Sequence, residues 1–294
     1  MALIVSGYGC SAIAKKVAGM LGLKYEVARV RSFPDGELYV RLPQGLKDEE
    51  VAYVVCYGRR PNEALAETVL AVEGLREKGA EKVVLVAPYL PYLRQDAEFT
   101  PGEVVSSRVI ARLLAKLDVD ALITVDPHLH RIRSLSELFP FPAIEVSAMP
   151  LLAAFFQKEH GTGVVVAPDE EAERWAKTFA DTIGAPYFVF EKQRMGDEIV
   201  SVTGAVKRGE TAVIVDDIVS TGGTLGEVAQ KLLEAGFRDI YACVTHALLV
   251  QDAEARIFGS GVKEFISTDS VHNPYARVSV AGVIAEALKG VVNV

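Results

Sequence analysis

Residues 213–224 read V-I-V-D-D-I-V-S-T-G-G-T, and this stretch decides the fold that we predict. Three β-branched residues at 213–215 are typical of a buried strand in a parallel sheet. Two acids, Asp216 and Asp217, stand where this strand should end, and the small residues 220–224 follow as a loop. A helix comes next, so the stretch predicts a strand–loop–helix unit.

The start and the end of this helix are both marked in the sequence. Thr224 and Glu227 fit a capping box, which would start the helix just after the glycines, and Gly236 would close it. Apolar residues recur between them at helical spacing, namely Leu225, Val228, Ala229, Leu232 and Leu233.

A strand, a glycine-containing loop and a helix N-terminus together predict an anion site. Backbone N–H groups and the positive end of the helix dipole converge there, as they do in phosphate sites. The paired acids are poor neighbours for a phosphate, but they suit sugar hydroxyls or a metal ion. The simpler interpretation is an ordinary strand–turn–helix with solvated acids. The order of acids, hydroxyls and glycines favours the functional interpretation.

Length and composition predict two globular domains. The chain has 294 residues, half of them hydrophobic and about a quarter charged, so each of two domains of about 150 residues can bury a core. The net charge of −8 argues against sequence-independent binding of nucleic acid, which needs a basic surface.

Cysteine content and hydropathy predict a soluble protein of the reducing cytoplasm. Cys10, Cys56 and Cys243 are scattered, so we expect three unpaired thiols and no zinc site. No run of eighteen apolar residues predicts a membrane span, and the N-terminus is typical of a strand and not of a cleaved signal.

Three segments of the first half predict turns or loops. Phe33–Glu37 reads F-P-D-G-E and predicts a hairpin turn, because Pro-Asp-Gly favours tight turns. Residues 88–96 read P-Y-L-P-Y-L-R-Q-D after a strand at 82–87, and their prolines exclude a helix. Residues 126–130 read D-P-H-L-H after a strand at 121–125, and the H-x-H pair alone is a weak metal signal.

The second half repeats the strand–helix plan of the first. Residues 82–125 and 212–245 match in order and spacing, which predicts an α/β protein of two duplicated doubly wound domains with mainly parallel sheets. We place the domains at 1–142 and 143–294, with the last ~20 residues packing back on the first domain.

The stretch at 213–224 resembles the ribose-phosphate-binding motif of the phosphoribosyltransferase superfamily. The resemblance implies that Asp216 and Asp217 bind the ribose hydroxyls. It also implies that the loop binds the 5-phosphate through Ser220, Thr221, Gly222, Gly223 and Thr224.

Other motifs resemble those of the ribose-phosphate diphosphokinases (PRPP synthetases). F-P-D-G-E looks like their adenine-binding hairpin, in which the aromatic ring stacks on the base and the acids read its amino edge. The matching positions are Phe33, Asp35 and Glu37. The R-Q-D segment implies that Arg94, Gln95 and Asp96 lie near ATP. The D-x-H segment places His128 against the metal–triphosphate and leaves His130 without a role.

Two loops of the second half match the same family. Asp169 corresponds to a metal-side carboxylate of the family's S-P-D-x-G-G loop, but Glu171 and Ala172 replace its paired glycines. The bulk and negative charge of Glu171 would oppose a diphosphate unless its side chain turns outward. Lys192 and Arg194 match the cations of the family's catalytic flexible loop, which closes over the transferring diphosphoryl group.

The resemblance covers nearly the whole chain and implies transfer of a diphosphoryl group from ATP to the C1 hydroxyl of ribose 5-phosphate. It implies Mg²⁺ as the cofactor, near His128 and Asp169, and a homo-oligomer built from dimers. Two alternatives stay open. A phosphoribosyltransferase would need only the ribose-phosphate motif, and a non-catalytic regulatory homologue would explain the altered loop at 169–172.

Overall fold

The structure is a computed structural model that describes residues 2–193, 196–201 and 211–294, with the backbone alone between 191 and 201. Two compact units divide the chain. The first runs to Ser147 and is completed by Ser279–Val294, and the second is Ala148–Val278.

The described residues form strands and helices in alternation. The strands are β1 (Ala2–Ser6), β2 (Lys24–Val27), β3 (Arg29–Ser32), β4 (Leu38–Arg41), β5 (Glu50–Val54), β6 (Lys82–Ala87), β7 (Ala121–Val125), β8 (Ala143–Val146), β9 (Val164–Ala167), β10 (Tyr187–Gln193), β11 (Gly196–Ser201), β12 (Thr211–Val219), β13 (Asp239–Ala247), β14 (Val262–Thr268) and β15 (Ala276–Val278). The α-helices are α1 (Ser11–Leu21), α2 (Pro61–Glu77), α3 (Ser106–Ala115), α4 (Met149–His160), α5 (Glu173–Ile183), α6 (Gly223–Glu234), α7 (Ala253–Gly259) and α8 (Ala281–Lys289).

The first unit is built on a parallel sheet of six strands in the order β2-β1-β5-β6-β7-β8. Strands β3 and β4 form a separate antiparallel hairpin. Phe33 and Glu37 close the turn of this hairpin, since the Phe33 N–H donates to the Glu37 carbonyl at 2.7 Å. Gly36 has a φ of 96°, a left-handed conformation that favours glycine in a tight turn.

The C-terminal segment completes the first unit. Helix α8 packs against α1, β7 and β8. Asn293 is fixed to Glu50 by two hydrogen bonds, from its N–H at 2.6 Å and from its side-chain amide at 2.7 Å. Strand β8 pairs in parallel with β7, so the units divide after Ser147 and not at the expected position between 142 and 143.

The second unit has a sheet in the order β11-β10-β9-β12-β13-β14-β15, parallel except for the β10/β11 pair. Apolar residues of α6 and α7 join one core cluster of this sheet, and those of α4 and α5 join another. The predicted α/β class with mainly parallel sheets is confirmed.

Two predictions about the ends of elements are wrong. Strand β12 continues to Val219, which pairs with Ala247, so Asp216 and Asp217 lie within the strand and not at its end. Helix α6 begins at Gly223 with no side-chain cap, so the capping box does not form.

The expectation of three unpaired cysteines is also wrong. Cys10 and Cys56 form a disulfide with a Cα–Cα distance of 5.5 Å, while Cys243 is a buried free thiol. The two cysteines lie just beyond β1 and β5, which are neighbours in a parallel sheet. The carboxyl ends of the two strands therefore meet at one edge of the sheet. The cysteines are 46 residues apart in sequence, and this spacing does not indicate that they pair. No helix in the described ranges is long and apolar enough to cross a membrane.

A buried carboxylate joins α2 to the edge of the first sheet. Glu67 is 3% exposed, and its Oε1 accepts hydrogen bonds from the Tyr53 hydroxyl at 2.7 Å and the Tyr8 N–H at 3.1 Å. Burial raises the pKa of Glu67, and the two hydrogen bonds offset part of this shift. A Cβ at Gly7 would lie 2.0 Å from this oxygen, which explains the glycine.

We expect Glu67→Gln to gain stability relative to the native chain as the pH rises. Because the folded-state pKa is raised, the folded chain keeps a proton that the unfolded chain releases near pH ~4.3, and the native protein loses stability as the pH passes through the raised value. Glutamine keeps the accepting oxygen but does not ionise. Thermal unfolding of both proteins from about pH 5 to about pH 8 measures the effect. Glu63→Gln, at an exposed site of α2, is the control, and an equal trend in both variants would contradict the explanation.

Candidate active site

Four consecutive backbone N–H groups are available to a ligand in the loop after β12. Within the part of the chain that the structure describes, no hydrogen bond uses the N–H of Thr221, Gly222, Gly223 or Thr224. Gly223 and Thr224 are exposed in the first turn of α6, at the positive end of its dipole. The loop and the helix end therefore have the geometry of an anion-binding site.

Gly222 is the residue on which the loop conformation depends. Its φ is 73°, and it is buried at the N-cap of α6. A Cβ at this position would lie 2.9 Å from Cγ1 of Ile257 and 3.1 Å from the carbonyl oxygen of Ala253. Only glycine fits here without strain, because a side chain meets both an unfavourable φ and the packed helix α7.

The two acids of β12 lie four and three residues before the loop, inside the sheet. Asp216 is half-buried and Asp217 is 3% exposed, and Oδ1 of Asp216 accepts the N–H of Asp217 at 2.9 Å. Burial raises the pKa of Asp216, and the nearby carboxylates of Asp217 and Asp169 raise it further. This acidic group favours a cation or hydroxyl donors as its partner.

The loop after β9 turns its extra acid outward. Glu171 is exposed, so its side chain does not fill the space beside Asp169. Oδ1 of Asp169 accepts the N–H of Ala172 at 3.1 Å, just before α5 begins at Glu173. Oδ1 of Asp169 thus stabilises the helix start, and among the residues that the structure describes no hydrogen bond uses its Oδ2.

The side chains of both predicted catalytic cations lie outside the part of the protein that the structure describes. Lys192 lies in the backbone of β10, which pairs with β11 through Asp197, and its side chain is not described. Arg194 lies outside the described residues.

The hairpin residues are exposed, and one ring already has a cationic neighbour. Phe33 is 39% exposed, and Asp35 and Glu37 are exposed as well. The Arg31 guanidinium lies 4.6 Å from the Phe33 ring centroid and 4.5 Å from that of Tyr39. Arg31 thus fixes the ring by cation–π contacts, a role that the sequence pattern did not indicate.

In the R-Q-D segment, two side chains form hydrogen bonds that hold the loop and the third is exposed. Asp96 is 7% exposed and accepts the N–H of Arg131 at 3.0 Å and its guanidinium at 3.0 Å. Gln95 donates to Glu103 at 2.9 Å, so both side chains shape the loop. Arg94 is the exposed member. Sequence reasoning missed Arg131, because no motif marks an arginine that acts on a carboxylate 35 residues away.

The two histidines after β7 differ in environment. His128 is half-buried and His130 is exposed, and both follow the buried Asp126, whose φ is 35°. Over residues 2–193, 196–201 and 211–294, no three His, Cys, Asp or Glu side chains are arranged to hold a metal ion by themselves. A hard cation such as Mg²⁺ fits this donor set, because it commonly binds one or two carboxylates and completes its shell with water and substrate phosphates.

Comparisons with known proteins identify the family of the chain. A family model for the N-terminal domain of ribose phosphate pyrophosphokinase matches residues 2–117, and one for the phosphoribosyl transferase domain matches residues 134–275. The chain is 39% identical to the ribose-phosphate pyrophosphokinase of Methanopyrus kandleri over 94% of this chain and 95% of that one. It is 37% identical to that of Methanothermobacter thermautotrophicus over 96% and 99% of the two chains.

A solved structure extends the agreement to the fold. The phosphoribosylpyrophosphate synthetase of Mycobacterium smegmatis superposes with a TM-score of 0.88 and 27% identity, over 99% of this chain and 98% of that one. Fold and site thus define a transferase with two units of phosphoribosyltransferase type. The chain belongs to the ribose-phosphate pyrophosphokinase family. The resemblance predicted from the sequence motifs is confirmed.

Proposed function

We propose that this chain transfers the β,γ-diphosphoryl group of ATP to the C1 hydroxyl of ribose 5-phosphate, giving PRPP and AMP. The observation that carries this proposal is the row of available N–H groups at Thr221–Thr224, a few residues after two acids. A terminal phosphate and a sugar ring are the two parts of one ligand that suit these neighbours.

The ribose-phosphate part of the site is the loop and the acids of β12. Ser220 and Thr221 are half-buried, so their hydroxyls can add to the backbone donors of the loop. Asp216 and Asp217 accept hydrogen bonds from the sugar hydroxyls and orient C1 for attack. Fixing this geometry supplies much of the acceleration of a phosphoryl transfer, because little covalent chemistry is left to the protein.

The ATP part of the site lies on the first unit. Phe33 offers an exposed ring for stacking on adenine, and Asp35 and Glu37 accept from its amino group. Arg94 is proposed to bind the phosphates, and its exposure in the loop at 88–96 supports this role. Gln95 and Asp96 act mainly by holding this loop in shape.

Lys192 and Arg194 are proposed as the catalytic cations. Negative charge spreads over the transferring group in the transition state, and two cations stabilise it there more than in the ground state. A lone pair of the C1 hydroxyl oxygen forms the new bond to the β-phosphorus, the bond to the AMP oxygen breaks, and the hydroxyl proton leaves to solvent.

Mg²⁺ is proposed as the cofactor, with His128 and Asp169 as the residues that the family resemblance assigns to it. When bound, it supplies charge neutralisation on the phosphates. The acidic group of Asp169, Asp216 and Asp217 supports this assignment, because burial and mutual repulsion make it favourable to bring in a cation.

A homo-oligomer built from dimers and a cytoplasmic location are proposed from the family. ATP is a cytoplasmic metabolite, which supports the location.

One assay separates the proposal from its alternatives. The purified chain is incubated with Mg-ATP with and without ribose 5-phosphate, and AMP is measured. AMP that requires the sugar phosphate supports diphosphotransfer. Consumption of PRPP with a free base would indicate a phosphoribosyltransferase instead. A folded protein that forms no AMP would indicate the regulatory homologue.

We expect Asp217→Asn to weaken ribose 5-phosphate more than ATP. The amide keeps the shape of this 3% exposed side chain but accepts fewer hydrogen bonds from sugar hydroxyls. A rise of about tenfold in the KM for ribose 5-phosphate is expected, with the KM for ATP within about twofold. Steady-state kinetics with each substrate varied in turn checks this split, and equal weakening of both substrates would contradict it.

A further inference from the structure

The carbonyl groups between the end of β12 and the start of α6 are hydrogen-bonded. Each of the four carbonyls at 219–222 accepts a hydrogen bond within the second unit. The pairs are Val219 with the N–H of Leu248 at 2.9 Å, Ser220 with the N–H of Val250 at 2.9 Å, Thr221 with the guanidinium Nη1 of Arg256 at 3.1 Å and Gly222 with the N–H of Gly226 at 2.9 Å. Arg256 is the one side chain among these four donors.

The position of Arg256 determines where one N–H group of the loop points. The Thr221 carbonyl and the Gly222 N–H belong to the same planar trans peptide, in which the two groups point in opposite directions. Arg256 holds the carbonyl end, so the N–H end is directed to the ligand side. The guanidinium charge also polarises this peptide and strengthens the N–H as a donor to an anion.

Core packing fixes the position of helix α7, which carries Arg256. It lies on α7 next to Ile257, which is 1% exposed and packs under Gly222. The segment leading into α7 holds Leu249 and Gln251 at φ values of 47° and 55°, a costly conformation for both residue types. Leu249 is buried in the core cluster of α6 and α7, which fixes that conformation. The exposed guanidinium of Arg256 therefore lies on a helix whose position is fixed by the packing of its neighbours.

We propose that Arg256 is a positioning residue for recognition of the sugar phosphate. It acts through the Thr221–Gly222 peptide and not by direct contact with the ligand, and it tunes affinity for the phosphate end of ribose 5-phosphate. The proposal rests on the proposed function, since it takes the loop after β12 as the phosphate site.

The test measures substrate affinity in variants of Arg256. Arg256→Ala is expected to raise the KM for ribose 5-phosphate about tenfold, with the KM for ATP and kcat within about twofold. Arg256→Lys is expected to recover most of this loss, because an ammonium can also donate to the carbonyl. Calorimetric titration with ribose 5-phosphate is expected to show the same tenfold loss of affinity without any turnover.

Lys263→Ala is the matched control for charge. Lys263 is an exposed cation of the same sheet that pairs with Asp239 at 3.0 Å, at the amino ends of β13 and β14 and so at the edge opposite the loop. The substitution Lys263→Ala removes one positive charge and should leave the KM for ribose 5-phosphate unchanged. An equal rise in both variants would mean general electrostatic attraction and would overturn the positioning role.

Two further results would overturn the proposal, and neither is confused with failure of the proposed function. If Arg256→Ala binds ribose 5-phosphate as tightly as the native chain, the positioning role is wrong although the enzyme is active. The same holds if the variant loses affinity equally for both substrates. A native chain that makes no AMP but binds ribose 5-phosphate, more weakly after Arg256→Ala, would uphold the positioning role and reject diphosphotransfer.

Discussion

Gly222→Ala should raise the KM for ribose 5-phosphate by about a hundredfold while leaving the KM for ATP within about twofold. The new Cβ meets Ile257 at 2.9 Å and the carbonyl oxygen of Ala253 at 3.1 Å, at a φ of 73° that alanine rarely adopts. The loop must move to relieve both, and its N–H groups then lose their common direction. Steady-state kinetics with the two substrates varied separately measures this effect.

Gly236→Ala is the matched control at the other end of α6. Gly236 has a φ of 95°, but nothing lies within 4 Å of the position of its Cβ. The control therefore has the backbone strain without the clash, and it should lower the melting temperature with no selective effect on ribose 5-phosphate. Equal KM values in Gly222→Ala and the native chain would show that the loop does not bind the phosphate.

Lys192→Ala and Arg194→Ala are each expected to lower kcat by about a hundredfold or more, with little change in the melting temperature. Both cations are assigned to the charge that develops on the transferring diphosphoryl group. Their removal should therefore act on the transition state more than on ground-state binding. Pre-steady-state and steady-state AMP formation, together with thermal unfolding, measures both parts of the prediction.

Lys177→Ala is the control for the loss of a surface cation. Lys177 is exposed on α5 and pairs with Asp181 at 2.8 Å, so its removal should leave kcat unchanged. If Lys192→Ala and Arg194→Ala both retain native turnover, the assignment of the catalytic loop is wrong, although the rest of the site would stand.

Local periodicity was sufficient to predict the architecture of both units. Alternating apolar strands and amphipathic helices leave few arrangements other than parallel sheets with helices on their faces, and the structure has this arrangement. The element ends were less predictable, because partners distant in sequence set them. Strand β12 gains Ile218 and Val219 by pairing with β13, and no residue near Asp217 signals that extension.

The candidate site was predictable where a motif is contiguous and not where it is assembled in space. The loop at 220–224 and the hairpin at 33–37 can be found in the sequence, since their residues act together over a few positions. Arg256, Arg131 and Arg31 were not found, because each acts on a group that only the fold brings near. The Cys10–Cys56 pair was missed for the same reason.

The return of the chain to its first unit has a consequence for biosynthesis. Helix α8 and Asn293, which hydrogen-bonds to Glu50, are synthesised after the whole of the second unit. Domains fold as units during synthesis, so the unit translated second has all its residues available while the one translated first still lacks its final helix. Maturation of the first unit is thereby postponed until the second has been translated, and a nascent chain halted at Val278 would have a complete second unit and an incomplete first one.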